Sequence, residues 1–288
     1  MGEIRTDSTN YNAAHWDGEG WELSLISPRG NVGPIKAIHI INANDIWFEK
    51  WGLPIHWDGE NYRKFTPADD GYPSGCTINS IWGTSSSNMY FVGNNGSIVH
   101  YDGSSFTKLE IGMEIDGDFV DIDGTANGEK VFVVIFQYWH APHKMVVFQI
   151  ENETVITLFY SDDNTTDYGG YKGPIAVKVI DDYAYIKVYE NLWRHNWKYN
   201  RNEFISLVED CSPAHRGITK LAANDHNDLF GMSFKGWFMH YNGSSWSCDY
   251  SLESPNIDYK DFSVNNNIVI MVGETADWRG LIARGVRN

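Results

Sequence analysis

Acidic and aromatic side chains recur together where the second strand of a repeated unit is expected to end. Glu49 precedes Trp51, and Glu190 precedes Trp193, by only a few residues. The full set is Glu49, Trp51, Trp139, Glu190, Trp193, Trp237, Glu274 and Trp278. Exposed rings stack on the C–H faces of sugars or on cations, and carboxylates accept hydrogen bonds from hydroxyls. The set therefore predicts a ligand-binding surface; the alternative is that the rings pack at a rim and the carboxylates are solvated.

The same carboxylates could serve hydrolysis instead of binding. Glycoside hydrolysis needs two carboxyl groups about 5 Å apart or about 6.5–9.5 Å apart. Glu49, Glu190 and Glu274 come from different repeats, so the sequence does not give their separation. No Ser-His-Asp, Cys-His or zinc-type Cys/His arrangement is legible. We therefore expect no catalytic residue, metal or cofactor, and keep a glycoside hydrolase or lyase as the alternative.

A short phrase, His-aromatic-Asp/Asn-Gly, recurs along the chain and sets the frame for these residues. Its clear copies are residues 15–18, 56–59, 100–103 and 240–243, and degenerate copies lie at 149–152 and 198–201. The phrase is typical of a strand, a tight turn and a returning strand. We interpret the Asp as the cap of its own turn and the Gly as the residue with positive φ. We interpret the His as a residue of the seam, the interface at which two neighbouring blades pack. The alternative is a ring of equivalent ligand sites.

The phrase closes a unit of four strands, here named a, b, c and d in chain order. Four antiparallel strands repeated about every forty residues predict an all-β, six-bladed β-propeller, with seven blades as the alternative. We expect a single domain over residues 1–288, in which an N-terminal strand pairs with the last blade. The blades are expected at about 35–67, 77–111, 118–160, 174–209, 217–250 and 258–288, with 11–27 completing the last one.

The charge, hydrophobicity and cysteine content of the chain exclude several classes of binding partner and structure. The net charge of −16 argues against nucleic acid and against an anionic membrane surface, because both are polyanions. No run of apolar residues is long enough for a membrane-spanning helix. The three cysteines exclude a fully paired disulfide framework, although Cys211 and Cys248 could pair.

The segment from Ile81 to Phe106 resembles a bacterial propeller repeat of the form I-W-G-x-x-x-N-D-V-W-x-V-G-x-x-G-x-I-x-H-W-D-G-x-x-W. Such repeats are similar to Asp-box repeats and to photosystem-assembly-factor-like propellers, and they occur in exported or lipid-anchored proteins. The sialidase Asp-box itself is not met, because His56 stands where that pattern has Ser, so its catalysis is not implied.

Together these features predict a non-catalytic binding or scaffold module. We expect it to recognise a carbohydrate or a protein on the face formed by the b–c turns and d–a loops. The resemblance further implies export to the periplasm or cell surface, with a leader that this chain does not contain.

Overall fold

The computed structural model describes residues 4–5, 9–30, 33–115, 117–136, 143–163, 175–188, 191–206, 218–233, 236–277 and 279–286. These residues are mostly β-strand, and their helical elements are a 3-10 helix, Pro28–Gly30, and a short α-helix, α1, Pro67–Asp70. The Thr66 side chain accepts a hydrogen bond from the Asp69 amide at the start of α1.

Two hairpins open the chain, and each is a two-stranded antiparallel sheet. The first pairs β1 (Ile4–Arg5) with β2 (Asn10–Tyr11). The second pairs β3 (Ala13–Trp16) with β4 (Trp21–Ser24).

Five four-stranded sheets follow, and each runs a-b-c-d in chain order. Sheet 1 holds β5 (Ile38–Asn42), β6 (Asp45–Lys50), β7 (Leu53–Trp57) and β8 (Tyr62–Lys64). Sheet 2 holds β9 (Ser80–Ser85), β10 (Asn88–Gly93), β11 (Ser97–Tyr101) and β12 (Phe106–Lys108). Sheet 3 holds β13 (Asp118–Gly124), β14 (Val131–Phe136), β15 (His143–Glu151) and β16 (Thr154–Asp163). Sheet 4 holds β17 (Ala176–Ile180), β18 (Tyr183–Val188), β19 (Asn191–Asn196) and β20 (Arg201–Ser206). Sheet 5 holds β21 (Lys220–Asp225), β22 (Asp228–Met232), β23 (Phe238–Tyr241) and β24 (Trp246–Asp249).

Sheet 6 has three strands among the described residues: β25 (Ile257–Asn265), β26 (Ile268–Thr275) and β27 (Gly280–Val286). Both candidates for strand c of the last blade, Ala13–Trp16 and Leu281–Arg284, are strands: they form β3 and part of β27. The predicted pairing of an N-terminal strand with this last sheet stays a prediction.

The chain divides into two compact units, each of which is described by itself. Unit 1 is Met1–Val131 with Ile150–Ile156, and unit 2 is Phe132–Gln149 with Thr157–Asn288. Within unit 1, β9 lies beside β5 on one side and β13 on the other; within unit 2, β21 lies between β17 and β25. The a strands are thus the neighbours along each unit, as a propeller requires. The expectation of one domain over the whole chain stays a prediction.

Each core forms where one sheet packs face to face on the next. In unit 1, Trp47 of β6 is buried against Phe91 of β10 and Tyr101 of β11. In unit 2, Tyr185 and Leu192 of sheet 4 pack with Leu229 of sheet 5. Alternation along the strands puts these apolar residues on facing surfaces, so the seams between sheets are the hydrophobic core.

The cysteines differ in state. Cys76 is a buried free thiol in the seam between sheets 1 and 2, and burial raises its pKa. Cys248 of β24 is disulfide-bonded. Cys211, with which Cys248 could pair, lies outside the described residues.

Candidate functional site

The turns between strands c and d share one cap. Oδ1 of Asp102 accepts hydrogen bonds from the amide N–H groups of Ser104 and Ser105, both at 2.7 Å, and Gly103, which follows Asp102, has φ 94°. These donors, first Ser105 and then Ser104, hold the pKa of Asp102 well below its ordinary value. The same cap is present at Asp17, Asp58 and Asn242. The phrase is therefore a turn-forming device in every clear copy, as the sequence predicts.

Asn242 performs this cap without a charge, which makes a direct test possible. We expect Asp102→Asn to retain the melting temperature of the wild type at neutral pH and Asp102→Ala to lower it, because Ala accepts no hydrogen bond. The depressed pKa makes the Asp102 contribution complete above the ordinary value of 3.8 and lost as pH falls through the folded value. Thermal melts between neutral and acidic pH should therefore show a smaller acid loss in Asp102→Asn; equal melting temperatures for the Asn and Ala variants would contradict the cap.

The histidines of the phrase bind the first residue of strand b. Nε2 of His100 lies 3.0 Å from Oδ1 of Asn88, and its Nδ1 lies 2.7 Å from Glu153 of the neighbouring sheet. Nε2 of His240 lies 2.7 Å from Asp228. These contacts agree with the seam interpretation. His15 is the exception, because its side chain is largely exposed.

One such seam brings together a serine, a histidine and an aspartate, a grouping that the sequence did not reveal. Oγ of Ser86 donates to Oδ1 of Asp45 at 2.5 Å, and Nε2 of His56 lies 2.9 Å from the same oxygen and 3.1 Å from Oγ. In a catalytic triad the aspartate and serine occupy opposite ring nitrogens. Here the aspartate and the serine both contact the same nitrogen, Nε2, so the grouping lacks the arrangement of a catalytic triad. It instead joins the a–b turn of sheet 2 to sheet 1.

The b–c turn of sheet 1 carries the most exposed of the predicted site tryptophans that lie within the described residues. Trp51 is 64% exposed and adopts φ 58°, followed by Gly52 at φ 76°. Two successive positive φ values are the type I′ hairpin geometry, which favours Asn-Gly. The equivalent turn of sheet 2 has that pair, Asn95 and Gly96, at φ 54° and 62°. A bulky side chain in this region is an outlier whose strain costs on the order of 1–3 kcal/mol.

Glu49 lies beneath this turn and is not a solvated carboxylate. It is 2% exposed, and its two oxygens accept separate backbone donors: Gly52 N–H at 2.6 Å and Lys36 N–H at 3.1 Å. Burial raises the pKa of Glu49, and these two N–H groups lower it by less. The carboxylate thus ties the b–c turn to the d–a loop that precedes β5. Both oxygens of Glu49 are therefore engaged inside the fold, and a direct contact of Glu49 with a ligand stays a prediction.

The d–a loop itself is anchored from two sides. The buried Asn12 amide donates to the carbonyls of Ile26 at 2.9 Å and Gly33 at 3.0 Å, and Nζ of Lys50 also donates to Ile26. A Cβ at Gly33 would lie 2.8 Å from the Trp51 ring. Glycine at this position therefore lets the indole lie directly against the loop backbone.

In unit 2 the expected exposed rings are buried. Trp193 of β19 is 5% exposed, because it packs beside Phe159 with ring centroids 5.8 Å apart. Trp237 is 9% exposed beside Tyr250. Both rings are thus buried where open rings were expected, and their predicted contact with a ligand stays a prediction.

Glu274 of β26 has a different setting from Glu49. One of its oxygens lies 3.0 Å from Nζ of Lys260, which also pairs with Asp258. Burial would lower the pKa of Lys260, but these two carboxylates together raise it. Glu274 is therefore held in an ion cluster on sheet 6. Three further residues of the predicted set, Trp139, Glu190 and Trp278, lie outside the described residues.

No protein-family model matches the sequence, and no curated protein matches it. Solved structures resemble the chain at low sequence identity. "YCF48 bound to D1 peptide" is 14% identical with a TM-score of 0.66, covering 100% of this chain and 92% of that one. The computationally designed Ika8 protein is 12% identical with a TM-score of 0.59, covering 88% and 72%. The extracellular domain of BT3049 from B. thetaiotaomicron is 11% identical with a TM-score of 0.57, covering 88% and 33%.

The fold is a six-bladed β-propeller. Sheets 1 to 6 are its blades. The propeller part of the predicted resemblance is confirmed, while its bacterial and Asp-box parts stay predictions. None of the helices in the described residues is long and apolar enough to cross a membrane. The same residues contain no group of three or more His, Cys, Asp or Glu side chains placed to hold a metal ion.

Sequence reasoning missed the residues that hold the propeller's Trp51 turn. Gly33, Lys36 and Asn12 act through backbone groups or through a buried amide, which a search for chemical side chains does not detect. One signal was available: Trp51-Gly52 stands where blade 2 has Asn95-Gly96. Aligning the blades would have marked Trp51 as the departure from the ordinary turn residue.

Proposed function

We propose that this propeller is a non-catalytic binding module that takes a segment of a protein partner on the b–c turns and d–a loops of unit 1. Trp51 is the observation that carries the proposal. A large exposed ring is kept in a backbone region that Asn95 occupies at less cost in the next blade. Strain of this kind is concentrated at ligand-binding positions. The likeness to a propeller bound to a peptide supports a peptide as one class of ligand.

The charge of the chain favours a basic segment. A protein with net charge −16 attracts cationic partners over several ångströms and repels acidic ones. An arginine or lysine placed over an indole face gains about 0.5–2 kcal/mol. Trp51 would thus serve as the ring on which a basic side chain of the partner rests.

The test is an array of short peptides graded from acidic to arginine-rich. We expect the wild type to retain the arginine-rich peptides and Trp51→Ala to lose them. Phe204→Ala is the matched control, because Phe204 of β20 is an equally exposed ring in unit 2. Failure to retain any basic peptide, or equal loss in the two variants, would contradict the proposal.

Carbohydrate is the second candidate, and polar side chains in the neighbouring blade favour it. Nδ2 of Asn79 donates to Oδ1 of Asn94 at 2.8 Å, and the exposed Asn95 follows in the b–c turn. Amide groups of this kind bind sugar hydroxyls beside a stacking ring. This candidate would be favoured if the wild type bound a glycan array, Trp51→Ala abolished that binding, and no peptide on the peptide array bound.

The hydrolase or lyase alternative was to use Glu49, Glu190 or Glu274, and the two of these that the structure describes give it no support. Glu49 is held by two backbone N–H groups, and Glu274 is paired with Lys260. A general acid or nucleophile must face the substrate. A panel of chromogenic glycosides with Glu49→Gln and Glu274→Gln controls tests this directly, and we expect no turnover.

Export to the periplasm or cell surface remains part of the proposal. The disulfide at Cys248 supports it, because disulfides persist in oxidising compartments. The likeness to an extracellular domain points the same way.

A further inference from the structure

We propose that Glu49 is the positioning residue of the Trp51 surface: its ionised carboxylate fixes the b–c turn on the d–a loop, and protonation releases the ring. This inference rests on the proposed function of Trp51 as a binding residue. It assigns Glu49 a role inside the site rather than at the ligand.

The hydrogen-bond geometry requires the ionised form. Both carboxylate oxygens accept backbone N–H groups, one from Gly52 in the turn and one from Lys36 in the loop. In a protonated carboxyl group one oxygen carries the hydrogen and becomes a poorer acceptor. The bond from that oxygen to its backbone N–H therefore weakens, and the carboxyl group holds the turn on the loop less firmly.

The turn depends on this tie because Trp51 is strained. Its φ of 58° persists only while the surroundings impose it. The loop side is rigid, since the Asn12 amide holds the Gly33 carbonyl at 3.0 Å and the indole lies on Gly33. On the far side, a Cβ at Gly52 would lie 2.9 Å from the Thr77 side chain, so the turn is also packed against the start of blade 2. Weakening the Glu49 bond therefore loosens the Trp51 end of the turn from the loop, while the Gly52 end stays packed on Thr77.

The charged and titratable groups that act on Glu49 come from three elements. Lys36 on the d–a loop and Lys64 on β8 stabilise its charge, and the buried Tyr72 that follows α1 interacts with it electrostatically. Burial outweighs the two lysines and raises the pKa of Glu49 above its ordinary value of 4.5. Glu49 therefore becomes protonated at a higher pH than an ordinary glutamate does.

Stability and positioning then respond to pH in opposite directions. A raised folded pKa means that the folded state favours the protonated carboxyl, so the stability contributed by Glu49 falls as pH rises from 4.5 through the folded value. Over the same pH range the carboxylate of Glu49 forms, and with it the pair of hydrogen bonds to Gly52 and Lys36 that we call the Glu49 clamp. If Glu49 served only the general stability of the fold, the stability of the protein and the positioning of Trp51 would rise or fall together with pH.

The experiment follows the amide resonances of Gly52 and Lys36 and the affinity for a nine-residue arginine peptide from mild acid to neutral pH. We expect both amides to shift with one shared midpoint above 4.5, and the peptide to bind more tightly as pH rises through it. Glu49→Gln keeps one acceptor, so we expect about tenfold weaker binding with a flat pH profile. Glu60→Gln removes the same charge from an exposed residue of the c–d turn in blade 1, and it should behave as the wild type.

The two arms separate the possible failures. If the wild type does not bind the peptide but the two amides titrate together, the proposed function fails and the Glu49 clamp stands. If the amides do not titrate, or if Glu49→Gln retains the wild-type pH profile, the clamp is overturned. Glu49→Asp supplies a rescue arm: a shorter carboxylate should restore a pH-dependent profile that Gln lacks.

Discussion

Replacing Trp47 with alanine should lower the free energy of unfolding by about 3–5 kcal/mol, the range for large aromatic deletions in a core. Trp47 is completely buried in the seam between blades 1 and 2. Its ring centroid lies 4.5 Å from His56, 5.4 Å from Phe65 and 5.5 Å from Phe91. Alanine would leave a cavity that rings from two blades line, and two sheets packed face to face cannot close it.

The polar end of Trp47 adds to the expected loss. Its Nε1 donates to Oγ of Ser86 at 3.1 Å, and Ser86 is bound in turn to Asp45 and His56. Removing the indole leaves the serine without one donor and loosens the a–b turn that crosses the seam. The expected loss therefore extends from the apolar core to this polar network.

Chemical denaturation of Trp47→Ala and Trp51→Ala provides the comparison. The two substitutions delete the same side chain from neighbouring places, one buried and one exposed. We expect the Trp51 variant to stay within about 0.5 kcal/mol of the wild type. Equal losses in the two variants would contradict the assignment of Trp47 to the seam.

The c–d turns could be predicted from sequence because their signal is local. An Asp or Asn side chain caps amides two and three residues ahead, and the following Gly takes the positive φ. Both residues lie within one tetrapeptide, so the phrase predicts its own geometry. The unit of four strands follows from the spacing of the phrase, which is how the blade could be predicted as well.

Burial of the candidate site residues could not be predicted in this way, because contacts distant in sequence decide it. Trp193 is covered by Phe159 from the previous blade, and Glu49 is enclosed by the loop around Lys36. Neither contact can be recognised from the sequence immediately around Trp193 or Glu49. A Glu and a Trp at the end of strand b look alike in several blades, yet Trp51 is exposed and Trp193 is not.

Replacing Trp51 with asparagine should raise the free energy of unfolding by about 1 kcal/mol while removing binding of the arginine-rich peptides. Asparagine is enriched in the left-handed region and is the preferred first residue of a type I′ turn. The indole is mostly exposed, so its packing on Gly33 stabilises the turn by less than the backbone strain destabilises it. A gain in stability coupled to a loss of binding is the expected result for a residue kept for function.

The reciprocal change in blade 2 supplies the control. Asn95 occupies the same turn position at φ 54°, so Asn95→Trp should lose about the 1 kcal/mol that Trp51→Asn gains. Denaturation of both variants measures the backbone strain twice, with opposite signs, in two b–c turns that each have two successive residues with positive φ. If Trp51→Asn were destabilising, the indole would be a packing residue of the turn, and the argument for Trp51 as a binding residue would lose its basis. If both variants follow the expected signs and the Asn variant alone loses the peptides, strain and binding are assigned to the same side chain.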